Sequence, residues 1–462
     1  MFTFVAILSS CSEFGDININ PNEPTFVGTK TLLTGALRSI AGVVGSPDGV
    51  LFVQHMSEIT YTENSRYGAI REDYGRWYTG PLANLQKIIQ LNSDEVTRAS
   101  HVSGGSNQNQ IGVARIMKAY FFNHAVERWG PLPYSKALKG NEILLPAYDD
   151  ESIIYSDLLK ELREAALQLD GGHIEGDIIF GGDTEQWKKF ANTLRASIAM
   201  KIADADGNLA KSTFTDAIKA GLIHETVHYD FLPESNNENP WFSAFRTRTD
   251  YAVSDVIVDF LTGTNDPRLE AFADPAKSSG IIVGMPYGLE NSTVSPPTVS
   301  YPHSDNVRGQ DKDVPIISIA QVHFMMAEAV ARGWITGNAE THYNAAITAS
   351  MNAWGIDNST EINNFLAQSS VKYNTSNWKK SIGTQKWVAL FGQGFDAWTE
   401  WRRLDFPILK IAEAPLNPSE KIPVRFMYPE TEVTLNAANY NAVVAKMNGG
   451  DTDGAKLWWD KF

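Results

Sequence analysis

Along much of the chain, apolar residues return every three or four positions, the spacing that collects them on one face of an α-helix. Over residues 111–129 they fall at 113, 116, 117, 120, 121, 125 and 129, and Gly130-Pro131 closes the segment. Asp149-Asp150 supplies a capping carboxylate for a helix over about 152–169. Its stripe is Ile154, Leu158, Leu162, Ala165 and Leu169, and Gly171-Gly172 ends it. A third helix is predicted over about 184–203, with Trp187, Phe190, Ala191, Leu194, Ile198 and Ile202 on one side, and a fourth over 214–222. Residues 316–334 and 339–354 form a pair across Thr336-Gly337-Asn338, and a last long helix covers about 378–390. The chain reads as mostly α.

The pair over 316–354 resembles a tetratricopeptide unit. Ala327-Glu328 and Gly333 precede the turn, and Ala339, Tyr343 and Ala346-Ile347 follow it, with small residues placed where two helices approach closely. Neither helix of such a hairpin can bury its stripe alone, so hairpins stack. The predicted architecture is a tetratricopeptide-like scaffold of helical hairpins over about 111–222 and 316–392. Between them, 45–73, 231–251 and 272–315 lack helical period and are rich in aromatics, Gly, Pro and Asn. Structureless loops this long are uncommon unless they are functional or disordered, and the aromatic content favours function. Together they are expected to form an irregular, loop-rich ligand-binding face.

Charge and cysteine narrow the function classes. Lys and Arg number 39 against 54 Asp and Glu, a formal net charge of −15, whereas nucleic-acid proteins and proteins that adhere to anionic lipid need a basic surplus. Cys11 is the only cysteine, which excludes an intrachain disulfide framework and a Cys-based zinc site. It follows an apolar run too short to span a bilayer, and Leu8-Ser9-Ser10-Cys11 resembles a bacterial lipobox. Residues 1–11 are therefore read as a lipoprotein signal peptide ending at a lipidated Cys11. Residues 12–462 follow as one domain that starts with a polar tether and contacts membrane only through the lipid.

The chemical motifs are few. His224-Glu225-Thr226-Val227-His228 matches the zincin pattern H-E-x-x-H, which needs both histidines one helical turn apart. Here the surrounding residues alternate, with Val227, Tyr229 and Phe231 against Thr226, His228 and Asp230. A strand would hold the two rings ~13 Å apart at ~3.3 Å per residue, so no metal is expected. Asp204-Ala-Asp206-Gly207-Asn208 and Asp451-Thr-Asp453-Gly454 are incomplete as calcium loops. The sequence has no G-x-S-x-G, no Walker loop and no dinucleotide fingerprint, and no cofactor is expected.

What remains is aromatic. Sugars and peptides present apolar faces that stack on Tyr and Trp while Asn, Asp and Arg meet their polar groups. Tyr61, Asn64, Arg66, Tyr67 and Arg71 form one cluster. Trp241, Arg246 and Arg248 form a second, and Tyr287, Asn291, Tyr301, His303 and Asp305 a third. Tyr61, Asn64, Arg66, Tyr67, Trp241, Tyr287 and Tyr301 are the candidate ligand residues. Trp77, Trp398, Trp401 and Trp458-Trp459 lie within or beside helical segments and are assigned to the core.

In this order, several further motifs resemble the SusD/RagB family of nutrient-binding outer-membrane lipoproteins, in its second SusD-like branch. They are the start at Cys11; Ala114-Arg115 through Tyr120; Trp129-Gly130-Pro131-Leu132-Pro133-Tyr134; Trp187 through Arg195; Phe395-Asp-Ala-Trp398-x-x-Trp401-Arg402-Arg403; and Pro423-Val-Arg425-Phe-Met-Tyr428-Pro429. The resemblance implies a non-enzymatic protein on a tetratricopeptide-like scaffold, anchored in the outer membrane and facing the exterior. It would capture an oligosaccharide or peptide for a SusC-like TonB-dependent transporter. The rival from another class is a tethered (α/α)-toroid glycoside hydrolase or polysaccharide lyase, which would need an acid and a base flanking a cleft.

Overall fold

The structure, a computed structural model, describes residues 27–462. The first helices are α1 (Thr29–Arg38), α2 (Ala83–Ser93), α3 (Asn107–Trp129), α4 (Glu151–Gln168), α5 (Thr184–Lys201) and α6 (Gly207–Ala220). Each packs on the next in sequence, which makes an array of helical hairpins. A second array holds α7 (Ile319–Ala331), α8 (Ala339–Ala353), α9 (Trp378–Ala389) and α10 (Gly394–Leu404); α7 packs on α8 and α9, and α9 on α10. Contact between α5 and α7 joins the two arrays. The scaffold is mostly helical and tetratricopeptide-like, as the periodicity and the motifs imply.

Local chemistry sets the helix starts. Ser106, Asp183, Asp206 and Asn338 each accept a backbone N–H in the first turn of the helix that follows. The expected cap of α4 differs: Asp150 occupies the N-cap position without a side-chain bond to the helix N–H groups, while the Asp149 carboxylate accepts the Tyr134 and Ser135 N–H groups. The start of α7 also differs from the sequence reading. Val314–Ile317 is a strand, and Ser318 with Gln321 forms a reciprocal capping box.

Among the described residues, three two-stranded antiparallel sheets join the loops. They pair β1 (Met56–Glu58) with β5 (Tyr251–Val253), β2 (Leu132–Pro133) with β3 (Tyr148–Asp149), and β4 (Val227–Tyr229) with β6 (Val314–Ile317). The H-E-x-x-H segment thus runs into an extended strand, with Val227, Tyr229 and Phe231 buried and His228 3.2 Å from Asp313. The two calcium-like fragments are occupied by structural contacts. Asp204 pairs with Arg332, Asp206 caps α6, and Asp453 accepts hydrogen bonds from Asn417 and Ser419.

The C-terminal motif locks the first array to the second. The Arg425 guanidinium is fully buried, bonded to Asp451 at 3.0 Å and donating to the Trp129 carbonyl at 3.0 Å. The Tyr428 hydroxyl donates to the Pro131 carbonyl at 2.7 Å. Trp398 is 0% exposed among Phe52, Phe395 and Phe426 and donates its indole N–H to Pro423. A short helix, Pro47–Phe52, lies backbone-to-backbone on α10 at Gly49 and Gly394, where a Cβ on either residue would strike the other's main chain.

In the α7–α8 hairpin, Ala327 and Ala346 are fully buried at the contact, and Ala331 lies nearer the edge. Ala346→Leu should overpack this contact and cost about 1–3 kcal/mol, read as a lowered thermal midpoint. An unchanged midpoint would show that the hairpin contact tolerates bulk and would weaken the repeat assignment.

Candidate functional site

The loops outside the two arrays converge. β1 pairs with β5, the Ile59 N–H donates to the Asp250 carbonyl at 2.7 Å, and the Val253 N–H donates to Ser300 at 2.9 Å. Met285 in turn donates to Val253, and Ala273 bridges Pro302. Beneath this surface Ile59, Ala252, Met285 and Val299 form a small apolar core of their own, with Tyr301 packed against it. The face is therefore built on a packed base rather than left as free loops.

Tyr61 stands at its tip, 59% exposed, with the Arg248 guanidinium 4.9 Å from its ring centre. The turn that carries it is held from below by Glu58. That carboxylate accepts the Asn64 N–H at 2.8 Å, the Ser65 N–H at 2.9 Å and the Asn64 amide at 3.0 Å. Burial pushes the Glu58 carboxyl up to about 7 despite these bonds from Ser65 and Asn64. The short helix Pro240–Phe245, which precedes Arg248 in the chain, carries the half-buried rings of Phe242 and Phe245. Phe245 meets Tyr301 edge-on at 5.7 Å, and Arg308 lies 4.7 Å from the Phe245 ring centre. Lys277 lies 6.0 Å from the Tyr301 ring centre.

The arginines of this face are already paired. Arg248 bonds Asp250 at 2.8 Å, Arg308 bonds Asp274 at 2.6 Å, and Arg246 bonds Glu238. Such pairs keep N–H donors and carboxylate acceptors side by side at little net charge, a good match for neutral hydroxyl groups next to an apolar ring.

The candidate residues divide on this geometry. Tyr61 and Tyr301 present ring surface to solvent. Tyr67, Trp241 and Tyr287 are 0%, 5% and 3% exposed, and this corrects the expectation that they offer open platforms. Tyr67 accepts the Ala412 N–H on its hydroxyl, Tyr287 donates to the Leu51 carbonyl at 2.8 Å, and Trp241 packs edge-on to Tyr251 at 5.5 Å. Each ring fastens a loop to the scaffold. Asn64 is spent on Glu58, and Arg66 donates to the carbonyls of Ala414 and Glu290, tying three segments together. Cys11, the expected lipidation site, lies outside the described residues. No helix among the described residues is long and apolar enough to cross a membrane.

A family model described as starch-binding and associating with the outer membrane matches residues 21–429. The chain belongs to the SusD-like family. Solved structures agree on the fold. A chitin-binding protein aligns with a TM-score of 0.81 at 23% identity, over 94% of this chain and all of its own. A SusD homologue from Bacteroides fragilis gives 0.80 at 24% identity, over 94% of this chain and 100% of that one. A chitin-binding SusD homologue from Flavobacterium johnsoniae gives 0.76 at 22%, covering 94% and 98%. No curated protein matches the chain.

This SusD-like protein also carries site candidates that the sequence reading passed over: Phe242, Phe245, Lys277 and Arg308. A signal for the first two existed. Asn239 followed by Pro240 is an N-cap with proline at the first helical position, and its side chain does accept the Trp241 N–H. Phe245 lies three residues after Phe242 and four after Trp241, so the helix sets its ring beside both, and of the three only Trp241 is buried.

Proposed function

We propose that this SusD-like protein captures glycan chains on the Tyr61–Phe245–Tyr301 face and passes them to a SusC-like TonB-dependent transporter in the outer membrane, held there by lipid on Cys11 and facing the exterior. The observation that carries the glycan assignment is the pairing of partly exposed rings with charge-compensated arginines, on a protein whose family is described as starch-binding. The chitin-binding structures with the same fold support it. An open face suits a polymer that must be released again, so the expected affinity is modest, a few stacking contacts being offset by the ordering of a flexible chain.

Binding without turnover is the expected chemistry. The acids nearest the rings are engaged, Asp250 and Asp274 by arginine and Glu58 by backbone N–H groups. This disfavours the (α/α)-toroid hydrolase or lyase as the rival. The test is a glycan and peptide array followed by affinity gels and product analysis of the bound ligand. Retarded migration with intact ligand is expected. Cleaved ligand would replace the binding reading with the enzyme, and retention of peptides alone would replace the ligand class. Cys11→Ala should move the protein from the membrane fraction to the soluble one. Sedimentation of that variant with membranes would remove the lipid anchor from the proposal.

A further inference from the structure

Tyr61 rides on a turn that is tied at both ends. At the far end, Arg66 donates to the Ala414 carbonyl, the Leu416 N–H donates to the Arg66 carbonyl at 2.8 Å, and the Tyr67 hydroxyl accepts the Ala412 N–H. The near end rests on Glu58, the last residue of β1. Its N–H donates to the Ser65 hydroxyl at 2.8 Å, and its Oε2 receives the Asn64 and Ser65 N–H groups at 2.8 and 2.9 Å. Tyr61 lies between the two anchors, so slack at Glu58 moves its ring against Arg248, which precedes β5.

The surroundings of Glu58 suit an uncharged acid. The residue is 4% exposed, and among the described residues its carboxyl is bonded by N–H groups and an amide, not by a guanidinium or an ammonium. The charged group that acts on it is Glu63 of the same turn, which opposes ionisation. Tyr251 on β5 and Tyr287 face it with phenols. Burial first, and the Glu58 charge with it, pushes Tyr251 up to about 12 and Tyr287 well above its usual value, so both are neutral. Arg248 and Asp250 answer one another at 2.8 Å. A buried charge without a counter-charge is costly. A neutral acid avoids that cost and gives up no bond. Oε2 keeps both N–H groups, and Oε1 lies 3.0 Å from the Asn64 amide. An Asn side chain turned half a revolution fills the same outline and presents a carbonyl oxygen, which accepts a carboxyl O–H.

We infer that Glu58 is a positioning residue that holds the Tyr61 turn as a neutral acid, its O–H on the Asn64 side-chain oxygen, so that glycan is bound more tightly in mildly acid than in mildly alkaline medium. The inference rests on the glycan reading above and adds a proton-linked control of the same face. The proton comes from bulk water and returns to it. Parting the turn from Glu58 lets water reach the carboxyl, which then regains its ordinary value of 4.5, against about 7 in the closed turn, where burial raises it. The closed turn therefore loses stability as pH rises from 4.5 to about 7 and stays weakened above that. Apparent affinity follows the fraction of molecules whose turn is closed.

The experiment has two arms, each run at about pH 5 and about pH 8, on either side of the transition. One follows amide exchange over residues 59–66 in the full chain, corrected for the intrinsic rate at each pH. The other is calorimetric titration with chitohexaose and maltohexaose, beside a melt of each variant. Protection of the Asn64 and Ser65 N–H groups should fall at the higher pH in the wild-type protein. It should stay high in Glu58→Gln, whose amide can donate to Asn64 at either pH. A sugar that binds should bind about threefold or more weakly at the higher pH. Glu58→Gln should keep the acid-side affinity throughout, Glu58→Ala should bind weakly throughout, and the residual binding of Tyr61→Ala should not vary with pH. If Glu58→Ala is poorly folded, Glu58→Gln alone decides. Protection that does not change with pH in the wild-type protein, or that falls equally in Glu58→Gln, overturns the neutral acid and leaves glycan capture standing. Exchange as expected with neither sugar bound at either pH counts against the glycan reading and leaves the proton-linked turn standing.

Discussion

Arg403→Met should remove about 3–5 kcal/mol of stability, because it strands buried carboxylates at the junction of the two arrays. Arg403 bonds both oxygens of Glu328 at 2.6 Å and Glu400 at 2.6 Å, with side chains 2%, 1% and 12% exposed. Lys386 reaches Glu400 at 2.9 Å, and Arg332 links Glu328 to Asp204 at 2.8 Å each. These residues come from α7, α9, α10 and the segment just after α5, so one substitution loosens four elements. Arg163→Met, which breaks an exposed pair with Asp216 at 3.4 Å, should change stability by about 0–1 kcal/mol. Equal effects of the two substitutions in urea unfolding would show that the network does not hold the arrays together.

The same network sets an acid limit. Burial alone would raise the Glu328 carboxyl, but the charge and hydrogen bonds of Arg403, with Arg332 and Lys386 behind, hold it down to about 2. Its contribution is therefore complete above the ordinary value of 4.5 and drains away as pH falls toward about 2. Other acids act in the opposite sense. Burial pushes Glu58 and Glu151 up to about 7 and Asp48 and Asp396 up to about 6. The unfolded chain ionises these groups first, so their cost grows as pH rises from about 4 to about 7. On these carboxyl groups unfolding free energy should accordingly peak near about 4 and fall on both sides.

The helical scaffold was legible because its signal is local. In α4, Ile154, Leu158, Leu162 and Ala165 are all buried, as a stripe of period 3.6 requires. Of the tryptophans assigned to the core, Trp398 in α10 and Trp459 are buried, whereas Trp77, Trp401 and Trp458 are only half-buried against it, and Trp459 lies outside any helix. The start of α7 was missed because Ile316 and Ile317 fit a helical stripe as well as a strand; their pairing with β4 is a long-range fact. The loop face was legible in composition only. Tyr67, Trp241 and Tyr287 have the same chemistry as Tyr61 and Tyr301. Which ring faces solvent depends on partners far away in sequence, such as Leu51 for Tyr287 or Ala412 for Tyr67. Arg308 and Lys277 could not be singled out either, because their place beside Phe245 and Tyr301 exists only after the loops close.

That division yields the sharpest functional expectation. Tyr61→Ala and Tyr301→Ala should each weaken glycan binding about tenfold or more, the loss expected when a central aromatic contact worth about 1.4 kcal/mol is truncated. The double variant should lose about 100-fold if the two rings hold separate units of one chain. Tyr61 is exposed, so its removal should leave the thermal midpoint nearly unchanged. Tyr301 also covers the small core of Ile59, Met285 and Val299, so its removal should lower the midpoint modestly. Tyr67→Phe and Tyr287→Phe remove only hydroxyls bonded inside the protein, at about 1 kcal/mol of stability each, and should leave affinity intact. Trp398→Ala, by contrast, should cost about 3–5 kcal/mol of stability, with any loss of binding following the unfolded fraction. Titrating all six variants with one array-identified glycan, beside a melt of each, separates contact from packing. Full affinity in both Tyr61→Ala and Tyr301→Ala would move the site off this face, whereas lost affinity in a well-folded Tyr287→Phe would mean that the buried rings open to the ligand after all.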